Sequence, residues 1–186
     1  MILQEKNYIR QQKKRYLIHS CIWTGIVFVL FGLGLHLTKT RSNYFTISAC
    51  VVAIVAALFI SRFISFNRFK DGDEAKAGLL EKMKGSYQIF HSGIITTTSG
   101  TSYFEHIVVT SRSIYLISYD EEKMKKYRLA AEKSLVNKGI SAKSIHFLVA
   151  KNEVQMKNIT LRIEKDACVT GGKLEEYSKM INEILM

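Results

Sequence analysis

The first part of the chain contains two long apolar runs, and the pattern after them changes to short stretches in which apolar and polar positions alternate. Leu17–Leu37 spans 21 residues and Tyr44–Ile60 spans 17, and neither run contains a formally charged side chain. A helix of the first length is about 30 Å long, which matches the hydrocarbon core of a bilayer. The link Thr38–Asn43 is too short for a domain. We therefore predict a two-helix transmembrane hairpin over residues 17–65, with helices at about 17–37 and 44–65.

Basic side chains on both sides of the predicted hairpin indicate its orientation. Five bases lie in residues 1–16, two lie in the link, and three lie from Arg62 to Lys70. Because cytoplasmic flanks carry the excess of Lys and Arg, residues 1–16 are predicted to be a basic cytoplasmic segment. The predicted location is the cell membrane. We expect a multi-pass protein with both termini in the cytoplasm and with the lipid bilayer as a partner.

The net charge of +11 belongs mostly to these flanks. Residues 1–70 hold ten of the 27 Lys and Arg residues but one of the 16 acids. The remainder has 17 bases and 15 acids, a balance without the basic excess of a typical nucleic-acid-binding domain. Cys21, Cys50 and Cys168 show no metal-binding spacing, so we expect reduced thiols rather than a metal or disulfide framework.

Residues 71–186 have the mixed composition of one globular domain, and their apolar positions recur with helix-like and strand-like periods. We predict strands at 87–95, 104–110, 113–119, 144–150 and 159–163, and helices at 73–84, 127–137 and 174–185. This order, α-β-β-β-α-β-β-α, is typical of an α/β domain with a central mixed sheet flanked by helices. The strands 104–110 and 113–119 are the most apolar, so we expect them in the middle of the sheet.

Charged residues are predicted to mark the boundaries of the first two helices of this domain. Asp71 and Glu74 have the spacing of a capping box, with Asp71 as the N-cap, and Gly85 is the expected residue after the helix end. Asp120–Lys126 is interpreted as a charged, solvated turn before the helix at 127–137.

Four segments in this order resemble the nuclease-related domain (NERD) family of the restriction-endonuclease-like superfamily. They are Gly72-Asp-Glu-Ala-Lys-Ala-Gly-Leu-Leu-Glu; Tyr87-Gln-Ile-Phe-His; Glu105-His-Ile-Val-Val-Thr with Ile114-Tyr-Leu-Ile; and Ile145-His-Phe-Leu-Val-Ala-Lys-Asn with Ala167-Cys-Val-Thr. The resemblance covers about 115 residues. It implies a restriction-endonuclease-like fold and metal-dependent phosphodiester cleavage, in which carboxylates hold Mg²⁺ or Mn²⁺ and a lysine positions the attacking water.

The residues that the resemblance assigns to this chemistry are only partly present. Glu74 matches a metal-binding Glu of the first helix, and Glu105 takes the place of a metal-binding Asp. The family's Glu-x-Lys reads Ser118-Tyr119-Asp120, which replaces a ligand by a hydroxyl and reverses the charge of the lysine. The candidate catalytic residues are therefore Glu74, Glu105 and Asp120, with Glu74 and Glu105 as metal ligands.

Three functions are open at this point. The first is a membrane-anchored nuclease-related domain that has lost catalysis and binds nucleic acid or a protein partner at the cytoplasmic membrane face. The second is a divergent metal-dependent nuclease that uses Glu74, Glu105 and Asp120; Mg²⁺ or Mn²⁺ is expected as a cofactor only in this case. The third is a membrane-surface or protein-interaction module of the bacterial pleckstrin-homology-like type. His106 is expected to be packed or hydrogen-bonded, and Tyr119 to pack beside the sheet.

Overall fold

The computed structural model describes residues 2–40, 43–97, 100–169 and 173–185. The chain divides into two compact units. One is Ile9–Lys70, and the other combines Met1–Tyr8 with Asp71–Met186.

The first unit is a pair of helices, α1 (Tyr8–Thr38) and α2 (Tyr44–Asn67). Both are long and apolar enough to cross a membrane, by length and composition. The first begins well before the predicted Leu17, because the polar residues ahead of the apolar run continue the same helix. The predicted pair of apolar helices is therefore present, with each helix longer than the apolar run within it.

The ends of the two helices are held by local polar contacts. Asn43 caps α2, and its side-chain oxygen accepts a hydrogen bond from the main-chain amide three residues on, at 2.9 Å. At the other end, the Lys13 ammonium donates to the Phe69 carbonyl at 2.6 Å, and the Arg62 guanidinium lies 6.0 Å from the centre of the Tyr16 ring. These contacts satisfy a carbonyl after α2 and place a cation on an aromatic face.

The second unit is a mixed sheet of five strands with helices on both faces. Its elements are β1 (Ile2–Gln4), α3 (Glu74–Glu81), β2 (Tyr87–Thr97), β3 (Gly100–Thr110), β4 (Ile114–Ser118), α4 (Glu121–Asn137), β5 (Ile145–Val149), α5 (Glu153–Ala167) and α6 (Leu174–Ile184). The strands lie in the order β1-β2-β3-β4-β5. The outer pairs β1–β2 and β4–β5 are parallel, while β2–β3 and β3–β4 are antiparallel.

Alternate residues of the central strands pack on opposite layers of helices. On one face, Ile107 and Leu116 join the side chains of α4 and α6 in one apolar cluster. On the other face, Val108, Tyr115 and Ile117 join the side chains of α3 and α5. We call these the α4/α6 face and the α3/α5 face. The strands expected in the middle of the sheet, β3 and β4, are buried along nearly their whole length.

The strand predicted at residues 159–163 is wrong, because this segment lies inside α5. Its apolar residues are two apart, which favours a strand. However, Leu161 is exposed, whereas Met156, Ile163 and Ala167 are buried on one helical face. The predicted order is therefore wrong after β5. The fifth strand is instead β1, which lies ahead of the two apolar helices in the chain.

Two predicted helix starts are also wrong. The N-cap of α3 is Asp73, whose side chain accepts from the Ala75 amide, so Glu74 is the first helical residue and forms no capping box with Asp71. Asp120–Lys126 is not a turn, because Asp120 is the N-cap of α4 and the following residues form its first turns. The α3 helix ends at Glu81, before the predicted end.

Candidate functional site

The carboxylate that the resemblance places on the core strand is buried. Glu105 lies on β3 and is 6% exposed. The Tyr119 main-chain amide donates to its Oε2 at 3.2 Å. Burial is the largest influence on this carboxyl and raises its pKa, while hydrogen bonds from the Ser118 hydroxyl and the Tyr119 amide act in the opposite direction. Ser118 thus lies beside Glu105, where the family pattern has a second carboxylate.

The other two candidate carboxylates lie in different surroundings. Glu74 is exposed on the first turn of α3. The Oδ1 atom of Asp120 accepts from the amides of Glu122 and Lys123, at 2.9 and 3.4 Å, as a helix cap. Along the described ranges, no group of three or more His, Cys, Asp or Glu side chains is arranged to hold a metal ion. Mg²⁺ and Mn²⁺ favour several converging oxygen ligands, whereas Glu74 is exposed, Glu105 is buried and Asp120 caps a helix.

A chain of polar side chains runs beside Glu105 through the α3/α5 side of the sheet, and it was not predicted. The strands β2 and β3 place His91 directly opposite His106, with their Nδ1 atoms 2.8 Å apart. The Nε2 of His106 lies 2.6 Å from the Tyr119 hydroxyl. At the other end, the Nε2 of His91 lies 3.3 Å from Glu81 Oε1, and Glu81 Oε2 lies 2.6 Å from the Lys6 ammonium. We call these five residues the histidine chain.

Both imidazoles of the histidine chain are neutral near pH 7. Each histidine is 1% exposed. Burial lowers the pKa of His106 to about 3, with further lowering by the charges of His91 and Lys76. Burial also lowers the pKa of His91, against the opposing effect of the Glu81 carboxylate. A neutral imidazole donates through one nitrogen and accepts through the other. Only one of the two facing Nδ1 atoms can therefore carry the proton and donate it to the other.

The Glu81 carboxylate selects that direction. A proton on His91 Nε2 faces the negative charge, although the 3.3 Å contact is not aligned as a hydrogen bond. The Nδ1 of His91 must then accept, so His106 donates from its own Nδ1. The remaining nitrogen of His106 accepts from the Tyr119 hydroxyl. The donors therefore all point from Tyr119 towards Glu81.

Tyr119 connects the histidine chain to the protein surface. The buried Lys76 ammonium lies 4.0 Å from the centre of the Tyr119 ring and donates to the Ala150 and Lys151 carbonyls, each at 3.2 Å. Burial, and then the charge of Glu105, raises the pKa of the Tyr119 hydroxyl. The half-buried tyrosine forms one side of a shallow depression of about 540 Å³. Its other lining residues are Asp120, Glu121, Glu122, Lys125 and Lys151.

The backbone of β2 is irregular where it passes this cluster. Ser92 has a φ of +58°, which is uncommon for a residue with a side chain, and its hydroxyl donates to Asp71 Oδ1 at 3.2 Å. The alternation of side chains changes there, because Phe90 and Ile95 both join the α4/α6 face although they are five residues apart. Uncommon backbone conformations of this kind concentrate at functional sites.

No known family model, curated protein or solved structure matches this chain. The NERD resemblance therefore stays a prediction.

Sequence reasoning missed the contributions of Lys6, Lys76, Glu81 and His91, although it expected His106 to be hydrogen-bonded. A signal was present in the hairpin between β2 and β3. With strands that end at Thr97 and begin at Gly100, antiparallel pairing brings residues 91 and 106 opposite each other. The predicted strands end at residue 95 and resume at residue 104, and these bounds do not give this register.

Proposed function

We propose that this protein is a membrane-anchored, nuclease-related domain that does not cleave nucleic acid and acts by binding a protein partner at the cytoplasmic membrane face. One observation carries the proposal. The two positions that the family pattern gives to a second ligand and to the lysine have other roles, since Ser118 supplies a hydroxyl and Asp120 caps α4. A buried acid is left beside the histidine chain, whose two imidazoles are neutral and whose donors all point towards Glu81.

The pairing of β1 with β2 supports the membrane part of the proposal. Ile2 pairs with Ile89 and Gln4 with Phe90, although both apolar helices lie between these strands in the chain. Two segments in one sheet must lie on the same side of a membrane. An even number of crossings between them satisfies this requirement, as the predicted hairpin does. The basic flanks favour the cytoplasm for that side.

The charges of the depression beside Tyr119 favour a protein partner over nucleic acid. Three acids and two lysines line it. Both lysines already contact Glu121, at 2.8 Å from Lys151 and 3.2 Å from Lys125. A nucleic-acid site needs unpaired cations that can displace counterions from phosphates, and this surface offers few. A partner with its own mixture of basic and polar side chains matches it better.

The two alternatives have less support. A divergent nuclease needs Glu74, Glu105 and Asp120 around one cation, and these residues lie in three different settings. A pleckstrin-homology-like module would have about seven strands and one terminal helix. In the described residues, the second unit instead has a five-stranded sheet and four α-helices.

The experiment uses the full chain, because a fragment from residue 71 would remove β1 and leave Glu81 without Lys6. The protein in lipid nanodiscs is incubated with single- and double-stranded DNA and RNA in the presence of Mg²⁺ or Mn²⁺. We expect no cleavage and no strongly salt-dependent binding. Cleavage that is lost in Glu105→Ala but kept in the exposed control Glu175→Ala would overturn the proposal. Salt-dependent binding without cleavage would indicate that the binding partner is nucleic acid rather than a protein.

The orientation has its own test. A reporter that is active only in the cytoplasm is fused to the carboxyl end of the full chain, and a second fusion carries a reporter that is active only outside. Activity of the cytoplasmic reporter is expected. Activity of the outside reporter would contradict the proposed orientation without affecting the conclusion about catalysis.

A further inference from the structure

We infer that the histidine chain couples the two segments that adjoin the apolar helices to the surface around Tyr119, so that a shift of either segment changes how Tyr119 is presented. This inference concerns the regulation of the surface proposed above as a binding site. Its test needs no partner, so it can fail or succeed independently of the proposed function.

The first segment lies directly ahead of α1. Its strand β1 pairs with Ile89 and Phe90, the two residues before His91. Two residues after β1, the Lys6 ammonium contacts Glu81 at 2.6 Å, and α1 begins at Tyr8. The segment therefore has two attachments to the start of the histidine chain. One attachment is the backbone pairing of β1 with β2, and the other is the ion pair between Lys6 and Glu81.

The second segment lies directly after the first unit, which ends at Lys70. Asp71 accepts from the Ser92 hydroxyl at 3.2 Å, next to His91. Gly72 packs against the other end of the histidine chain. A Cβ atom at this glycine would lie 3.3 Å from the Tyr119 hydroxyl and 3.4 Å from Cε1 of His106. Both connections to the apolar helices thus converge on one buried network.

The network has two possible arrangements, which is what a coupling element requires. Lys6 holds Glu81 in place, and the Glu81 carboxylate keeps the His91 proton on Nε2. Without that charge the reverse direction becomes available, in which His91 donates to His106 and His106 donates to the Tyr119 oxygen. The Tyr119 hydroxyl then has its proton free for another acceptor at the surface. Because both histidines are buried, no bulk water can compensate for a change at one end.

The test compares Lys6→Met with Lys82→Met in the full chain in nanodiscs. Lys82 is an exposed lysine at the end of α3, close to Glu81 in the chain, and serves as the matched control. Ring-nitrogen NMR shifts of His91 and His106 report the tautomers, and hydrogen exchange reports the Tyr119 amide. Without Lys6 the Glu81 carboxylate can turn away from His91. We therefore expect Lys6→Met to mix the tautomers and to raise exchange at Tyr119 several-fold, with wild-type behaviour in the control.

Two further variants change the histidine chain at Glu81 and beside Tyr119. Glu81→Gln removes the charge that selects the direction, and it should reproduce the tautomer mixing even if Lys6→Met does not fold. Gly72→Ala inserts a methyl group against Tyr119 and should raise exchange in the β1 segment at the far end. Exchange changes that stay within residues 2–8 for Lys6→Met, with unchanged histidine tautomers in Glu81→Gln, would overturn the inference.

Discussion

The two faces of the sheet are packed on different principles. The α4/α6 face is an apolar cluster in which Leu116 and Leu135 are fully buried. The α3/α5 face also has an apolar cluster, but the buried polar groups Lys76, His91 and His106 accompany it. An apolar face requires volume and shape, whereas each buried polar group requires a particular partner. The stability of the first face therefore depends on apolar volume, whereas that of the second also depends on particular polar partners.

The largest expected effect comes from an apolar deletion on the α4/α6 face. Leu116→Ala removes a fully buried side chain from β4 and is expected to lower the free energy of unfolding by about 2–5 kcal/mol, independently of pH. The free energy of unfolding is measured by urea-induced unfolding of the full chain in detergent, with pulse proteolysis as the readout. Leu129→Ala, at an exposed position of α4, is the control and should change stability by less than about 0.5 kcal/mol. A loss at Leu116 as small as that would contradict the comparison.

The next effect is a dependence on pH that belongs to the α3/α5 face. The pKa values of His91 and His106 are lowered in the folded protein. Below about pH 6.5 the unfolded chain binds protons that the folded protein does not, so the free energy of unfolding falls as the pH falls. For His106 the slope is about 1.4 kcal/mol per pH unit, and the lowered pKa of His91 adds to it in the same direction. The raised pKa of Glu105 acts in the opposite direction, because its folded form takes up a proton more readily.

Unfolding at a series of pH values between 7 and 5 measures this slope in the wild-type protein and in Leu116→Ala. The two proteins should give parallel curves, displaced by a constant amount. A flat wild-type curve would show that the histidines are not buried as neutral groups.

A third prediction concerns the contributions of His91 and His106 to stability. His106→Ala leaves His91 Nδ1 and the Tyr119 hydroxyl without their partner and is expected to cost about 1–3 kcal/mol at pH 7. The double variant His91→Leu/His106→Leu removes both ring partners together. It should be less destabilised than the single variant and should have a smaller pH slope than the wild-type protein, as urea unfolding at pH 7 and pH 5 can show. Part of the slope should remain, because burial also lowers the pKa of His146. A double variant at least as unstable as His106→Ala would argue against a mutually satisfied pair.

The smallest effect concerns Asp120, where the sequence pattern and the structure give different roles. As a helix cap, Asp120→Ala should cost about 1 kcal/mol, while Asp120→Asn should stay within a few tenths because asparagine caps equally well. The same unfolding measurement applies. If Asp120→Asn were as destabilised as Asp120→Ala, the charge would matter rather than the cap.

The sequence predicted those elements whose signal is local. The apolar runs predicted α1 and α2, and the β-branched residues of 104–110 and 113–119 predicted β3 and β4 because a strand pattern is contained within a few residues. The segment 159–163 was misassigned, since Ile159, Leu161 and Ile163 have the spacing of a strand and only tertiary contact shows that Leu161 is exposed on a helix. No local pattern could assign β1, because its partner β2 lies beyond two long helices.

The candidate site was predictable only in part, for a related reason. Glu105 could be placed on a core strand from its surroundings in the chain, but it lies in the middle of β3 rather than near the predicted strand start, because β3 begins at Gly100. The environment of Glu105 could not be predicted. Its burial and its contacts with the Ser118 hydroxyl and the Tyr119 amide result from strand pairing and packing. The contact between His91 and His106 depends on the register of one hairpin, and a shift of a single residue would place the two imidazoles on opposite faces of the sheet.

The position of β1 also has a consequence for biogenesis. During synthesis Ile2–Gln4 emerges before both apolar helices, and its partner residues Ile89 and Phe90 emerge after them. At about 5–20 residues per second, the interval is roughly 4–17 s. In the proposed topology, the strand stays unpaired on the cytoplasmic side while the two helices insert. Under that proposal, the sheet is completed only after an even number of crossings, and a chain with an odd number could not pair β1 with β2.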